Sequence, residues 1–318
     1  MLLANWQPTA AIDVLKKRAD ILHQIRNFFA ERNVLEVETP LLSHASVTDP
    51  HIHSISATVF GKKYYLQTSP EYAMKRLLAA GSGSIYQICK AFRHDETSLL
   101  HNPEFTMLEW YRVSLTHHDL MNEMDELLQL ILKTPAAERL SYAAAFEKYA
   151  GINPHLATKK ELQQCAQKNN IDFHGEELDE NSWLDLLMTH CIQPRMQHER
   201  PVFLYDFPVA QSALAKIRDE NPPVASRFEV YFKGIELANG FHELQDAKEQ
   251  RARFEKNNLY RQAQQMEIIS IDENFLAALE YGLPDCAGVA LGVDRLVMLA
   301  LEKDSIDAVM GFSAVNIE

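Results

Sequence analysis

A chain of 318 residues that is 47% apolar and 24% charged can bury a sizeable core in one large domain or two small ones, which excludes the disordered, collagenous and disulfide-stapled classes. There is no run of about eighteen apolar residues, and the start MLLANWQPTA lacks the pattern of a signal peptide, so the expectation is a cytoplasmic protein without a membrane span. A formal net charge of −13 excludes a broad basic footprint for a long polyanion, while leaving room for a small basic pocket.

Residues 10–32 place Ile12, Leu15, Ala19, Leu22, Ile25 and Phe29 at helical spacing, which predicts an amphipathic helix. VLEVETP reads as a short strand that Pro40 ends. In TSPEYAMKRLLAAG, Ser69 suits an N-cap, Pro70 the first helical position and Gly81 the exit. Glu71 then falls in a first turn, where the helix dipole alone would favour a carboxylate. SIYQICKAF and HNPEFTMLEWYR read as the strands of an antiparallel hairpin with a polar, charged loop between them.

Alternation in the second strand puts Phe105, Met107, Glu109 and Tyr111 on one face and Thr106, Leu108, Trp110 and Arg112 on the other. A carboxylate therefore stands among apolar neighbours, and two readings remain open. Either the face is solvated and Glu109 is wet, or it is covered and Glu109 needs a cation, which a ligand could supply.

From about 117 to 200 the pattern is helical and amphipathic, and we expect a helical insertion within a single domain. Strands return at RFEVYFKGIELANGFHEL. If Lys233-Gly234 is a two-residue turn, Tyr231 faces Glu236 and Glu229 lies diagonally beside Glu236. A bulge or turn at Asn239-Gly240 would shift the parity so that Glu243 looks the same way as Glu236. GVALGVDRLVMLALEKD reads as a Gly-rich turn opening a helix, with backbone N–H groups and Arg295 at an N-terminus suited to an anion. The four cysteines form no C-x-x-C pair and read as buried thiols; His51, His53, His117 and His118 read as surface or loop residues.

Taken in order, RNVLEVETP, FRHDE with HNPEFTMLEWY, and GVALGVDRL resemble motifs 1, 2 and 3 of class II aminoacyl-tRNA synthetases, closest to the lysyl enzymes, and with TSPE, KRLL and ELANGFHEL the likeness runs from about residue 10 to 315. The resemblance implies an α+β catalytic core, an antiparallel sheet flanked by helices, and a homodimer built through motif 1. Lysyl enzymes carry an anticodon-binding OB-fold before this core, and none is expected here. The closest likeness is to truncated lysyl-tRNA synthetase paralogues that activate (R)-β-lysine with ATP and Mg²⁺ and attach it to a lysine of elongation factor P.

By that resemblance Arg93 would bridge the substrate carboxylate and the α-phosphate, and Arg295 would clamp the distal phosphates and adenine. Phe105 would stack on adenine; Asn102, Leu237, Gly292 and either Asp95 or Glu96 would complete the nucleotide site. Motif 2 normally reads F-R-x-E, whereas Arg93 here is followed by His94, Asp95 and Glu96. Glu229 and Glu236 are hard oxygen donors suited to Mg²⁺. Glu109, Tyr111 and Glu243 would reach the ε-ammonium, Glu71 near Ser69 would take the other amine, and Asn102 and Asn239 would supply neutral hydrogen bonds. SHASVTDPH at residues 43 to 51 replaces the lysyl loop near the amino-acid pocket, and Ala290 stands where lysyl enzymes have Gly, a methyl that would favour an amine on the β-carbon. One methyl biases such a choice by only about 1–3 kcal/mol. A basic patch of Lys62, Lys63 and Lys75 is expected near the pocket mouth for the acidic factor. Two rival readings remain: a stand-alone lysine-activating enzyme with another acceptor, and a non-catalytic regulatory paralogue.

Overall fold

The structure, a computed structural model, describes residues 6–94, 97–171, 178–196 and 199–314. In chain order the first half forms α1 (Ile12–Glu31), β1 (Leu35–Glu36), β2 (Leu42–Ser43), β3 (Ser56–Val59), β4 (Lys62–Leu66), α2 (Glu71–Ala79), β5 (Ile85–Phe92), β6 (Glu104–Val113), α3 (His117–Leu132), β7 (Glu138–Ser141) and α4 (Tyr142–Ala150). The second half adds α5 (Lys159–Lys168), α6 (Glu180–Leu187), β8 (Val202–Pro208), β9 (Ile217–Arg218), β10 (Val224–Phe232), β11 (Ile235–His242), α7 (Ala247–Ala263), α8 (Glu273–Gly282), β12 (Cys286–Gly292) and α9 (Val293–Ala300). Among the described residues no helix is long and apolar enough to cross a membrane.

These elements fall into two compact units, residues 1–114 with 245–318, and residues 115–244. In the first, β6 runs antiparallel between β5 and β12, and the short β1 joins the outer edge of β5 in parallel. The predicted hairpin of SIYQICKAF and the motif 2 strand is therefore present. GVALG, expected as a turn, is instead part of strand β12, and the helix begins only after Gly292.

One face of this sheet is apolar and packs on α1: Phe29 stacks on Tyr86 at 4.4 Å and meets Trp110 edge-on at 5.3 Å. The buried stripe of α1 is Val14, Ile21, Ile25, Phe28 and Phe29, while Ile12 is exposed. It includes the half-buried Arg18, whose guanidinium pairs with Asp294 at 2.7 Å. Of the expected stripe, Ile25 and Phe29 are fully buried, Leu15 and Leu22 are half-buried, and Ile12 and Ala19 are exposed, because the N-terminal half of the helix turns Val14, Arg18 and Ile21 inward.

The second unit contains the stretch expected as a helical insertion, about 117 to 200, in which strand β7 accompanies the helices, and it runs on to residue 244. Its sheet pairs β7 in parallel with β8, β8 antiparallel with β10, and β10 antiparallel with β11. Thr116 caps α3 and Thr158 caps α5, each in a reciprocal capping box. The helices close over a core that includes Tyr142, Phe146, Trp183, Leu187, Leu204 and Phe207.

Candidate active site

In the first unit the chemistry lies on the β6 face turned away from α1. Glu109 pairs across the strands with Gln87 on β5 and Ala290 on β12, Tyr111 with Ile85 and Gly288, and Met107 with Cys89 and Gly292. Gly288, Ala290 and Gly292 carry at most a methyl, so the β12 side of this face is low and the long β6 side chains stand above it. Glu109 is only 2% exposed, which overturns the wet-surface reading. Its Oε1 accepts a 2.7 Å hydrogen bond from the Tyr111 hydroxyl. Burial, reinforced by the Glu109 carboxylate, pushes the neighbouring Cys89 thiol up to about 12, so Cys89 is no nucleophile.

Arg93 directly follows β5, and its backbone N–H donates to the Pro103 carbonyl at 2.9 Å across the mouth of the hairpin. The guanidinium carbon lies 5.3 Å from the centre of the Phe105 ring, which couples two residues that the sequence assigned separately to phosphate and adenine. Asp95 and Glu96 lie outside the described residues. Arg295, in the first turn of α9, donates from Nε to the Leu100 carbonyl at 3.2 Å and lies 2.9 Å from Nε2 of His101, so it fastens the loop that carries Arg93. The same turn holds its own anion: Asp294 accepts from the Thr106 N–H at 2.6 Å and pairs with Arg18. Asn102 is committed at both ends of its amide to backbone, donating to Glu104 and accepting from Ala314.

On α2 the N-cap is Pro70, with Ser69 one residue outside the helix and its Oγ 3.5 Å from the Glu71 N–H, so the helix starts one residue later than predicted. Gly81 has the positive φ expected at the exit. Glu71 Oε1 pairs at 2.7 Å with Lys75, which is 1% exposed and lies 5.7 Å from the Phe275 ring centre. The expected basic patch is corrected on two counts. Lys75 is a buried partner of Glu71, and Lys63 is paired with Glu267, leaving only Lys62 of the three outside these pairings.

In the second unit the Lys233-Gly234 turn forms as predicted, with Phe232 opposite Ile235 and positive φ at both turn residues, the signature of a type I′ hairpin. Tyr231 faces Glu236 as expected. The parity shift comes earlier than Asn239-Gly240: Val230 pairs with Ala238 and Tyr231 with Glu236, which makes Leu237 the extra, bulged residue. Beyond it Asn239 pairs with Glu229, Gly240 with Phe228 and Phe241 with Arg227. The bulge thus gathers Arg227, Glu229 and Tyr231 of β10 with Glu236, Asn239 and Phe241 of β11 on one face, and alternation carries Glu243 to the same side.

Arg227 is the residue the sequence reading missed, although it stands two positions before Glu229 on the same strand face. Its Nη2 lies 2.5 Å from Glu229 Oε1, its Nε donates to Asn239 Oδ1 at 3.2 Å, and its Nη1 donates to the Gln211 carbonyl at 2.7 Å. The Tyr231 hydroxyl donates to Glu229 Oε2 at 2.6 Å. The acidic neighbours Glu229 and Glu236 hold the Arg227 guanidinium above its already high value against the opposing effect of burial. Each Glu229 oxygen accepts one of these bonds and keeps a second lone pair. With Glu236 on the same face, the donor set fits a hard cation such as Mg²⁺.

His117, His118 and Asp206 also lie within metal-ligand reach of one another. That place is taken by a side chain. Arg218 pairs with Asp206 at 2.7 Å and lies 3.0 Å from His117 Nε2, and its Nε pairs with Glu220. His117 is buried, against the surface reading, and burial holds both imidazoles below their ordinary value.

The family model "tRNA synthetases class II (D, K and N)" matches residues 4–316, nearly the whole of the chain just described. The chain belongs to that class II synthetase family. A relative from Vibrio cholerae is 54% identical over 319 residues, covering 98% of both chains, and is named elongation factor P--(R)-beta-lysine ligase. Relatives of the same name from Haemophilus influenzae and Edwardsiella ictaluri are 52% and 51% identical, covering 99% and 98% of both chains. A class II synthetase assignment agrees with the α+β architecture and with all three motifs read from the sequence.

Proposed function

We propose that this protein is an AMP-forming ligase that activates (R)-β-lysine with ATP and transfers it to a lysine ε-amine of elongation factor P. The observation that carries the reading is the agreement of near-full-length relatives at 51–54% identity on one name. In the first step a carboxylate oxygen of β-lysine attacks the α-phosphorus, the bond to pyrophosphate breaks, and the acyl-adenylate remains. In the second, the neutral ε-amine of the acceptor attacks the acyl carbon, AMP leaves with the electron pair of the C–O bond, and the amine sheds a proton.

Two anions meet in the first step, so the cations are the machinery. Arg93 stays charged at any working pH and has the planar fork to hold carboxylate and phosphate together. Arg295 serves the nucleotide and, through His101 and Leu100, the loop beside Arg93. Phe105, Gly292 and Leu237 belong to the nucleotide site. Mg²⁺, held by Glu229 and Glu236, would screen the phosphate charge. Glu109 with Tyr111, and Glu243, take the terminal ammonium; Glu71, braced by Lys75, takes the other amine, Asn239 gives the amino acid a neutral hydrogen bond, and the Ala290 methyl lies beside Glu109. The same reading makes the protein a cytoplasmic homodimer joined through motif 1.

ATP–pyrophosphate exchange with purified protein tests this reading. Exchange should be faster with (R)-β-lysine than with L-α-lysine and should vanish in Arg93→Ala. Equal or faster exchange with α-lysine would point to another lysine-activating enzyme, and none with either would favour a regulatory paralogue.

A further inference from the structure

Arg227 stands out because one guanidinium is fixed along three directions at once. Its Nε, Nη1 and Nη2 reach Asn239 Oδ1, the Gln211 carbonyl and Glu229 Oε1. Its carbon also lies 4.5 Å from the centre of the Phe207 ring. The side chain is 17% exposed, so these contacts are made largely out of water, where charge-assisted bonds are strongest. Two of the three polar contacts fall on residues proposed for the site, Glu229 toward the metal and Asn239 toward the amino acid. The third is a main-chain atom, which ties the fork to the fold.

We infer that Arg227 is a positioning residue: acting through Glu229 and Asn239, it fixes the orientation of both and keeps Glu229 from rotating away from the face it shares with Glu236. Two carboxylates gathered on one face repel each other, and the Arg227 guanidinium beside Glu229 offsets that repulsion and holds the carboxylate in place before a metal arrives. Tyr231 supplies a neutral bond to the other Glu229 oxygen, but a hydroxyl cannot offset the charge. Lysine in place of Arg227 would keep the charge and lose the fork, since an ammonium cannot match the fixed geometry of a guanidinium.

This inference rests on the proposed role of Glu229, and it is tested without β-lysine or any acceptor. Mn²⁺ binding, as a stand-in for Mg²⁺, is measured by electron paramagnetic resonance in the presence of a non-hydrolysable ATP analogue. Wild type, Arg227→Lys, Arg227→Gln and Tyr231→Phe are compared, each with a thermal melt. Outer residues that orient metal ligands typically change metal affinity about 10–100-fold, and both Arg227 variants should weaken Mn²⁺ by at least the lower figure. Tyr231→Phe should weaken it less. An Mn²⁺ affinity equal to wild type in either folded Arg227 variant, with only the melting temperature lowered, would overturn the inference. Should neither variant fold, Phe207→Leu, which withdraws only the ring beside the guanidinium, should show a smaller loss in the same titration, and an unchanged affinity there would overturn it too. A wild type that binds Mn²⁺ with the analogue but shows no β-lysine-dependent exchange would instead remove the substrate assignment and leave the role of Arg227 standing.

Discussion

Holding a carboxylate almost entirely out of water costs several kcal/mol unless charge and hydrogen bonds return it, and Glu109 is so held beside a tyrosine hydroxyl, with only the small residues of β12 on one side. On the proposed reading this buried carboxylate meets the terminal ammonium of the substrate. Glu109→Gln keeps the shape and the Tyr111 contact but removes the charge. We expect KM for (R)-β-lysine in the exchange reaction to rise about 10- to 100-fold, matching the roughly 1.5–3 kcal/mol of a hydrogen bond to a charged group, with KM for ATP little changed. An equal rise in both would mean that Glu109 holds the sheet together and not the amine. The face on which Glu109 lies was legible from alternation, because period two is independent of what packs above it. The pairing of Glu71 with Lys75 and the Arg227 fork were harder to read, since a charged residue two or four positions away looks in sequence like ordinary surface charge.

At the scale of elements, the β10–β11 hairpin shows how a one-residue bulge decides which side chains meet. Without Leu237 as the extra residue, strict alternation would put Asn239 and Glu243 on the face opposite Glu236. Sequence signalled the need for a parity shift but placed it at Asn239-Gly240, because Asn-Gly is the stronger local turn signal and a buried leucine gives none. The turn itself is less than ideal: Lys233 sits at φ +51 and Gly234 at φ +75, and only the second is a residue suited to that region. Lys233→Asn should therefore stabilise the protein by up to about 1 kcal/mol in urea unfolding, with exchange activity unchanged. A loss of stability would mean that the Lys233 ammonium, 5.5 Å from the Phe232 ring centre, contributes more than the backbone strain costs.

At the scale of the whole molecule, the architecture was readable because three ordered motifs carry it, whereas the strands of the second unit between residues 138 and 208 were masked by the amphipathic helices around them. The second unit also gives the protein a direction of pH dependence. His117 is buried against Arg218 and near His118 and His242, and burial together with that positive neighbour lowers its affinity for a proton despite the opposing pull of Asp206. His118 is lowered in the same sense by burial and by His117. A histidine whose value is depressed in the fold binds fewer protons there than in the unfolded chain, where it titrates near pH 6.5. Stability therefore falls as pH drops through about 6.5, and the fall continues until the folded histidines themselves take up protons. Against the opposing effect of burial, Asp206 is held below the ordinary carboxylate value by His117 at 3.7 Å and Arg218 at 2.7 Å, and it adds a loss of the same sign at lower pH as it too becomes protonated. Each histidine kept neutral can steepen the fall by at most about 1.4 kcal/mol per pH unit. Urea unfolding between pH 8 and 5 should show stability decreasing with acid, and His117→Gln should flatten that slope. A slope unchanged by the substitution would show that His117 titrates in the fold as it does in the unfolded chain, and that the Arg218 cluster exerts no net bias on its proton.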